Sequence, residues 1–419
     1  MIDTQPGLLD EIRDRFAHVE DCPFQGERVF FENAGGALTL KSVVETSAKF
    51  AAIPDNPGRD NPAGQAAVEL IARAKDDMAT FFNAPGGQFI AGESGTELLF
   101  RLIGAACLGT PADGRVLGST LEHPATRSAA NRYAPIGGKA HVLVAHDDAT
   151  GSVDAAAYRP EITADTRVAT ILHTSPVTGM GVDVAAIAAA IREVAPECYI
   201  IVDGIQHAAH GRLDLDALGV DGYVISPYKV FSRHGYGIAW LSDRLAALPH
   251  DGLMNAPGAP WELGTRDAGA YAAFSDVVAY FDWLGGRVSD HDDRRARIVA
   301  AGEAIHAQEK ALTEAMLHGA GNLPGLASYE GVTILGGVEN PRREGLVSFA
   351  LAGRDAGDIV AALNKAGVRT HIRKADHYSG NILDPLGMQS CVRVSMCHYN
   401  TEAEVVRFLA AMRDIARAA

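Results

Sequence analysis

Short apolar runs at 88–91, 115–117, 141–144, 168–173, 199–202 and 222–226 are spaced so that several have helical stretches between them, 184–193 among these. A chain that alternates strands with helices forms a mostly parallel sheet, because each crossover lays a helix on one face or the other. The segment 63–82 carries helical periodicity as well, and another helix begins shortly after the run QFIAG and its turn of small residues. At 419 residues the chain is long enough for a large core and a second, smaller unit. Near 284–287 the pattern changes. SDHDDRRARIVAAGEAIHAQEKALTEAMLHG reads as one helix over 289–319, with Ser289 as its N-cap and Gly319 as its stop. GLVSFAL, GVRTHI and CVRVSM then read as strands beside helices at 356–366 and 402–418. The expected organisation is an N-terminal arm, 1–27, associated with the small domain; a large α/β domain, 28–285; and a smaller C-terminal α+β domain, 286–419.

A formal net charge of -15 argues against nucleic acid or an anionic membrane as partner, since both require clustered cations. No run approaches the roughly 18 apolar residues of a membrane span. MIDTQPGLLDEIRDRF lacks a basic stretch followed by an apolar one, so no signal peptide is expected. Cys22, Cys107, Cys198, Cys391 and Cys397 form no CxxC pair and are too scattered for a disulfide framework, which points to free thiols in a cytoplasmic protein. His173, His207 and His210 lack the i, i+4 or CxxC spacing of metal ligands, so no metal site is expected.

In YIIVDGIQHAAHGRLDLDALGVDGYVISPYK, one apolar run ends in Asp203 and a second, 26 residues later, leads to Lys229. Open α/β sheets bind ligands at the carboxyl ends of their strands, so both side chains stand where a ligand is expected. A lysine acting there as a nucleophilic amine suits a Schiff base with an aldehyde. An aspartate there can keep a pyridine nitrogen protonated, which lets the ring accept electrons. These are the protein's contributions to pyridoxal phosphate chemistry; taken alone, the pair equally describes an ion pair at a sheet edge. Ser94, Gly95 and Thr96 stand between a strand and a helix, where backbone N–H groups and the helix dipole favour a phosphate. His123 follows another strand and offers a flat partner for a ring. Gln206 can donate to the ring's phenolic oxygen, and Ser226 can add a hydroxyl to the phosphate.

The segments ENAGG, ESGTE, TLEHPA, VDGIQ, SPYK, ELGT and VRVSMCHYNTEAE occur in that order over nearly the whole chain. As an ordered set they resemble the class V aminotransferase family, and within it the cysteine desulfurase-like branch. The resemblance implies a fold type I pyridoxal 5'-phosphate enzyme with a seven-stranded, mostly parallel sheet. It implies that Lys229 forms the Schiff base, that Asp203 pairs with the pyridine nitrogen and that His123 stacks on the ring. Thr96, Ser226 and the Gly95 amide would bind phosphate. Thr265, in WELGTRD, would reach the phosphate of the neighbouring subunit, so a homodimer with shared active sites is expected. Arg393, in CVRVSM, would hold the substrate α-carboxylate as a bidentate fork.

The chain departs from the family pattern in three places. Tyr228 precedes the lysine where the desulfurases carry a histidine. The asparagine that approaches the phenolic oxygen falls on Pro176, leaving Ser175 or Gln206 for that contact. Counted back from Arg393, the sulfur-accepting cysteine of one desulfurase group falls on Tyr378, in ADHYSGNILDPLG, and no cysteine lies between Cys198 and Cys391. Cys391 and Cys397 fall around Arg393 in a strand, where a thiol lacks the mobility of a persulfide carrier. The expected reaction is therefore of the lyase type on a small α-amino acid. It is either β-elimination from a cysteine- or cysteine sulfinate-like substrate or loss of a β-carboxylate from an aspartate-like one. An aminotransferase or epimerase would need the same Lys229, Asp203 and Arg393. A catalytically silent binding member of the fold would have no need of both Lys229 and Asp203. Arg59, in NPGRDNPAG, is either a solvated charge or a substrate contact from the partner subunit. Tyr378 either packs in the core or lines the substrate entrance as an acid or base.

Overall fold

A computed structural model describes residues 2, 5–256, 258 and 260–417. Its main sheet contains β1 (Gln88–Gly92), β2 (Arg115–Ser119), β3 (Ala140–Val144), β4 (Thr166–Leu172), β5 (Tyr199–Asp203), β6 (Gly222–Ile225) and β7 (Gly237–Leu241), in the spatial order β1-β7-β6-β5-β4-β2-β3. The neighbours from β6 to β3 run parallel, and β7 is antiparallel to both β1 and β6. The fold type I architecture is thus present, with one reversed strand that the sequence reading did not include.

Alternation along the strands decides which layer each residue joins. On β5, Ile201 packs into one core with Leu98, Leu102 and Ile103 of α2 (Gly95–Gly109) and Ala129 of α3 (Pro124–Ile136). Its neighbours Ile200 and Val202 point the other way, into a core shared with Ile187 and Ile191 of α4 (Val184–Val194) and Phe274 and Val277 of α5 (Ala268–Val288). Both faces of the sheet are therefore covered. Among the described residues, no helix is long and apolar enough to cross a membrane.

Helix α5 was not visible in the sequence. Its 21 residues bury Ala270, Tyr271, Ala273, Phe274, Val277, Val278, Phe281 and Leu284 on one side, but Ala268, Ala272, Ala279 and Trp283 add apolar residues on the other and blur the one-sided stripe that marks a helix. The next helix, α6 (Arg294–His318), begins five residues later than the expected 289. Asp293, not Ser289, is its N-cap, accepting from the Ala296 amide at 2.7 Å, where a carboxylate also complements the helix dipole. Ser289 instead ends α5, both its amide and its hydroxyl donating to the Gly285 carbonyl. Gly319 does stop α6.

A second sheet, β8 (Val332–Ile334), β9 (Leu346–Leu351), β10 (His371–Lys374) and β11 (Ser390–Ser395), is antiparallel in the order β8-β9-β11-β10. It is backed by α7 (Ala356–Lys365) and α8 (Glu402–Arg417) through Ile359, Leu363, Phe408 and Leu409. Residue 418, expected in the last helix, lies outside the described residues. The expected single strand GVRTHI divides at Thr370. Val368–Arg369 pairs in parallel with Val29–Phe30, while His371–Lys374 joins β11. The ENAGG segment follows Val29–Phe30 as a 3-10 turn, Asn33–Gly35, and bridges the two sheets. The Ser395 hydroxyl accepts from the Ala34 amide at 2.8 Å, and the Tyr228 carbonyl accepts from the Ala37 amide at 3.0 Å.

Candidate active site

The carboxyl ends of β5 and β6 face this bridge. After β6, residues Pro227–Lys229 form one 3-10 turn, closed by the Lys229 amide donating to the Ser226 carbonyl at 2.9 Å. The turn directs Lys229 into the cleft, where Nζ donates to Gln206 Oε1 at 3.1 Å. Burial, reinforced by the positive charges of Arg393 and Arg373, pushes the amine down to about 7, while Asp203 acts in the opposite direction. Lys229 is thus able to stand as a neutral amine near neutrality. Asp203 ends β5 and is buried, accepting from Thr126 Oγ1 at 3.2 Å and from the Ile205 amide at 3.1 Å. Burial holds its carboxyl above the ordinary value, against the pull of the Ile205 amide and the Lys229 charge.

Gln206 is held from behind. Its Nε2 lies 3.1 Å from His210 Nε2, and His210 Nδ1 lies 2.7 Å from Glu309 Oε2 on α6. With the imidazole proton on Nδ1 toward the carboxylate, Nε2 accepts from the Gln206 amide nitrogen, which turns the amide oxygen to Lys229. The donor expected to serve a phenolic oxygen is therefore turned to His210. His207 meets Glu344 at 2.8 Å and stacks on His173, whose Nδ1 meets the Tyr223 hydroxyl at 2.8 Å. All three histidines flagged in the sequence have side-chain polar partners.

At the anion end, Ser94 caps α2 by accepting from the Glu97 amide at 3.1 Å. A Cβ on Gly95 would lie 2.5 Å from Ser226 Oγ and 2.7 Å from Ile205 Cδ1, so glycine is what lets the Ser226 hydroxyl approach the helix start. Gly237 of β7 supports the same loop from behind, where a Cβ would lie 2.4 Å from the Ser94 carbonyl carbon and 2.6 Å from the Gly95 nitrogen. Thr96 is exposed in the first turn, whose N–H groups have no partner within a helix.

His123 is the N-cap of α3, its Nδ1 accepting from the Ala125 amide at 3.2 Å. Burial and the charges of Lys229 and Arg373 push the ring down to about 3, so it is a neutral imidazole. Tyr378 lies with its ring 5.9 Å from His123 and is 45% exposed, which places it at the cleft entrance rather than in the core. Arg393, on β11, donates from Nη1 to the Pro176 carbonyl at 3.0 Å, while its buried Nε has no partner. Burial, then the neighbouring charge of Arg373, lowers its guanidinium to about 9. The structure thus brings Lys229, Asp203, Gln206, Ser226, Gly95, His123, Arg393 and Tyr378 to one cleft. Ser175 is buried beneath it, its hydroxyl accepting from the Val177 and Thr178 amides. Thr265 and Arg59 are both exposed; Thr265 lines a separate cavity with Lys49, Phe50 and Arg73.

The profile of the family described as Aminotransferase class-V matches residues 29–253 and 298–408. The chain belongs to the class V aminotransferase family. Over 396 residues it is 28% identical to the nonribosomal peptide synthetase-like enzyme fsqF of Aspergillus fumigatus, covering 90% of this chain but only 25% of that protein. The chain thus spans a quarter of that relative's length. It is 28% identical to the cysteine desulfurase-like protein ustD of Aspergillus flavus, over 93% of this chain and 88% of that one. The apo structure of a cysteine desulfurase from Thermococcus onnurineus NA1 superposes with a TM-score of 0.80 at 19% identity, covering 98% of each chain, and so shares the fold. The family's members are pyridoxal phosphate-dependent enzymes, and this class V aminotransferase relative is one of them. Its cleft fits that cofactor. A low-pKa lysine, a buried carboxylate and a hydroxyl set against a helix start by a missing Cβ are what an aldehyde, a pyridine nitrogen and a phosphate require.

Several members of the cleft escaped the sequence reading. Thr126 was hidden in the helix that His123 opens. Arg373, in HIRKADHY, belongs to none of the motifs and was not singled out. The His210–Glu309 pair joins residues 99 positions apart, which no local pattern reveals.

Proposed function

We propose that this enzyme removes a substituent from the β-carbon of a small α-amino acid, in the manner of a lyase. Bound pyridoxal phosphate supplies the electron sink that stabilises negative charge developing on the substrate carbons. The chain's own residues do the rest. Lys229 holds the cofactor's aldehyde carbon and, once released as a neutral amine, moves a proton at the substrate α-carbon. Asp203 keeps a proton on the ring nitrogen, and Thr126 orients that carboxylate. His123, uncharged, covers the ring face. Ser94, Gly95, Thr96 and Ser226 hold the phosphate, with Thr265 reaching it from a second copy in a homodimer. Arg393 grips the α-carboxylate, and Tyr378 stands at the entrance.

The observation that favours a lyase over sulfur transfer is the state of the thiols. Cys391 and Cys397 are buried, and burial pushes the first up to about 11 and the second well above its ordinary value. Neither is an exposed thiolate of the kind persulfide transfer needs, and the entrance position carries Tyr378. The test is to incubate the purified enzyme with a panel of amino acids while following the cofactor's visible band and the products. Alanine, or pyruvate together with ammonia, with release of the β-substituent, supports the reading. A matched amino acid and keto acid pair would instead mark an aminotransferase, and a persulfide trapped on protein would mark a desulfurase.

A further inference from the structure

Two guanidinium groups look into the cleft, and the reading above employs one. On the antiparallel ladder His371 lies opposite Arg393, and Arg373 lies opposite Cys391. Residues 371 and 373 share a face by strand period, so Arg373 is the diagonal neighbour of Arg393, with Cα atoms on the order of 7 Å apart. Its charge reaches Lys229, His123 and Arg393, depressing the pKa of each.

The acids nearby are already engaged. Glu32 approaches Arg393 but is paired with Arg369 at 2.6 Å and His371 at 3.1 Å. Asp203 is bound to Thr126 and the Ile205 amide. Asp376 accepts from the Tyr378 amide at 2.8 Å and is exposed. Among the described residues, neither Arg373 nor Arg393 has a carboxylate within ion-pair distance, and the Nε of each is a buried donor without a partner. Two adjacent, partly desolvated cations with no counterion are costly, and the cost is relieved when an anion with two charged ends is bound.

We propose that Arg373 reads a second anionic group on the substrate, so that the enzyme takes an α-amino acid whose β-carbon bears a carboxylate or a sulfinate. The proposal rests on the lyase reading and narrows it, setting aside neutral cysteine. Arg393 fixes the α-carboxylate, Lys229 faces the α-carbon, and Arg373 takes the β-substituent, a three-point arrangement that also sets the substrate's handedness. The net reactions balance without a co-reactant. L-Aspartate gives alanine and carbon dioxide, the carbon–carbon bond breaking and a proton replacing the carboxylate on the β-carbon. L-Cysteine sulfinate gives alanine and sulfur dioxide in the same way, through the carbon–sulfur bond.

The experiment titrates the holoenzyme with L-aspartate, L-cysteine sulfinate, L-asparagine and L-cysteine. It reads affinity from the cofactor's absorption band, and alanine, carbon dioxide and sulfite separately. Wild-type enzyme is expected to bind one acidic substrate on the order of a hundredfold more tightly than asparagine, the size typical of a buried charge pair. Arg373→Gln is expected to collapse that ratio to near one, while Arg373→Lys, which keeps the charge but loses the fork, recovers part of it. Retention of the absorption band of Lys229-bound cofactor shows that the variants are folded and loaded. Carbon dioxide or sulfite identifies which acid is used. An acid-to-amide ratio that is near one in wild type, or unchanged in Arg373→Gln, overturns the role of Arg373, while loss of the β-substituent from any of the four without a persulfide on the protein leaves the lyase reading standing. Absence of any spectral response to all four overturns both.

Discussion

The Lys229 amine should titrate near pH 7 in the cofactor-free protein, about 3.5 pH units below an ordinary lysine at 10.5. Burial disfavours the ammonium, so charge is lost as pH rises through about 7 and the neutral amine predominates above it. At pH 8 an amine with that pKa is about 90% neutral, against about 0.3% for one at 10.5, a gain of roughly 300-fold in the form that attacks an aldehyde. The two charged neighbours act with opposite signs. Asp203→Asn removes an anion that favours the ammonium and should lower the midpoint further; Arg393→Gln removes a cation that opposes it and should raise the midpoint. Reductive methylation of the cofactor-free protein with 13C-formaldehyde, followed by NMR titration, measures this directly, with Lys229→Met identifying the resonance. A wild-type midpoint above about 9 would show that the cleft is far wetter than its packing indicates. Movement of both variants in the same direction would refute the charge assignment itself.

Three further outcomes are expected. Lys229→Ala should abolish the borohydride-reducible attachment of pyridoxal phosphate while leaving the circular dichroism of the fold unchanged; a cofactor reduced onto another lysine in wild type would reassign the site. Replacing Cys391 and Cys397 together by alanine should leave turnover within roughly tenfold, about 1.4 kcal/mol in the barrier, and a loss of several orders of magnitude in a folded double variant would return the enzyme to sulfur transfer. Mixing Lys229→Ala with Thr265→Ala chains should create one intact site per heterodimer and so restore tight cofactor binding to half of the Lys229-bearing chains at most; a fully active monomer by sedimentation would refute the shared site.

The strands β1 to β6 were legible because each is a short apolar run, buried along most of its length except in the edge strand β3, and the two chemical groups at their ends, Asp203 and Lys229, stand out against such runs. Strand β7 was missed because GIAWL follows directly on the SRHGYG turn, and nothing in the run itself reveals that it pairs antiparallel with β1 and β6. Helix α5 was missed for the opposite reason, apolar residues being present on every side. Arg393 could be placed because its motif is distinctive. Arg373 could not, since its meaning comes from a ladder register that sets it two positions from the partner of Arg393. The hold of Glu309 on His210, and through it on Gln206, depends on α6 packing along α5 so that Glu309 meets the loop after β5, a tertiary fact with no local signature.

Gly237 constrains how this enzyme can vary. Within a strand, exchanging glycine for alanine ordinarily gains roughly 0.5–1 kcal/mol through lost backbone freedom in the unfolded chain. At this position the new methyl would stand 2.4 Å from the Ser94 carbonyl carbon, too close for any contact, and the loop that receives an anion would have to withdraw. That gain is available only where the methyl fits without strain, so stability and cofactor affinity both hold position 237 to glycine, although the residue meets no ligand. A library of variants sorted on thermal resistance alone would retain glycine at 237, and would thereby keep the shape of the anion-receiving loop with no selection for the cofactor.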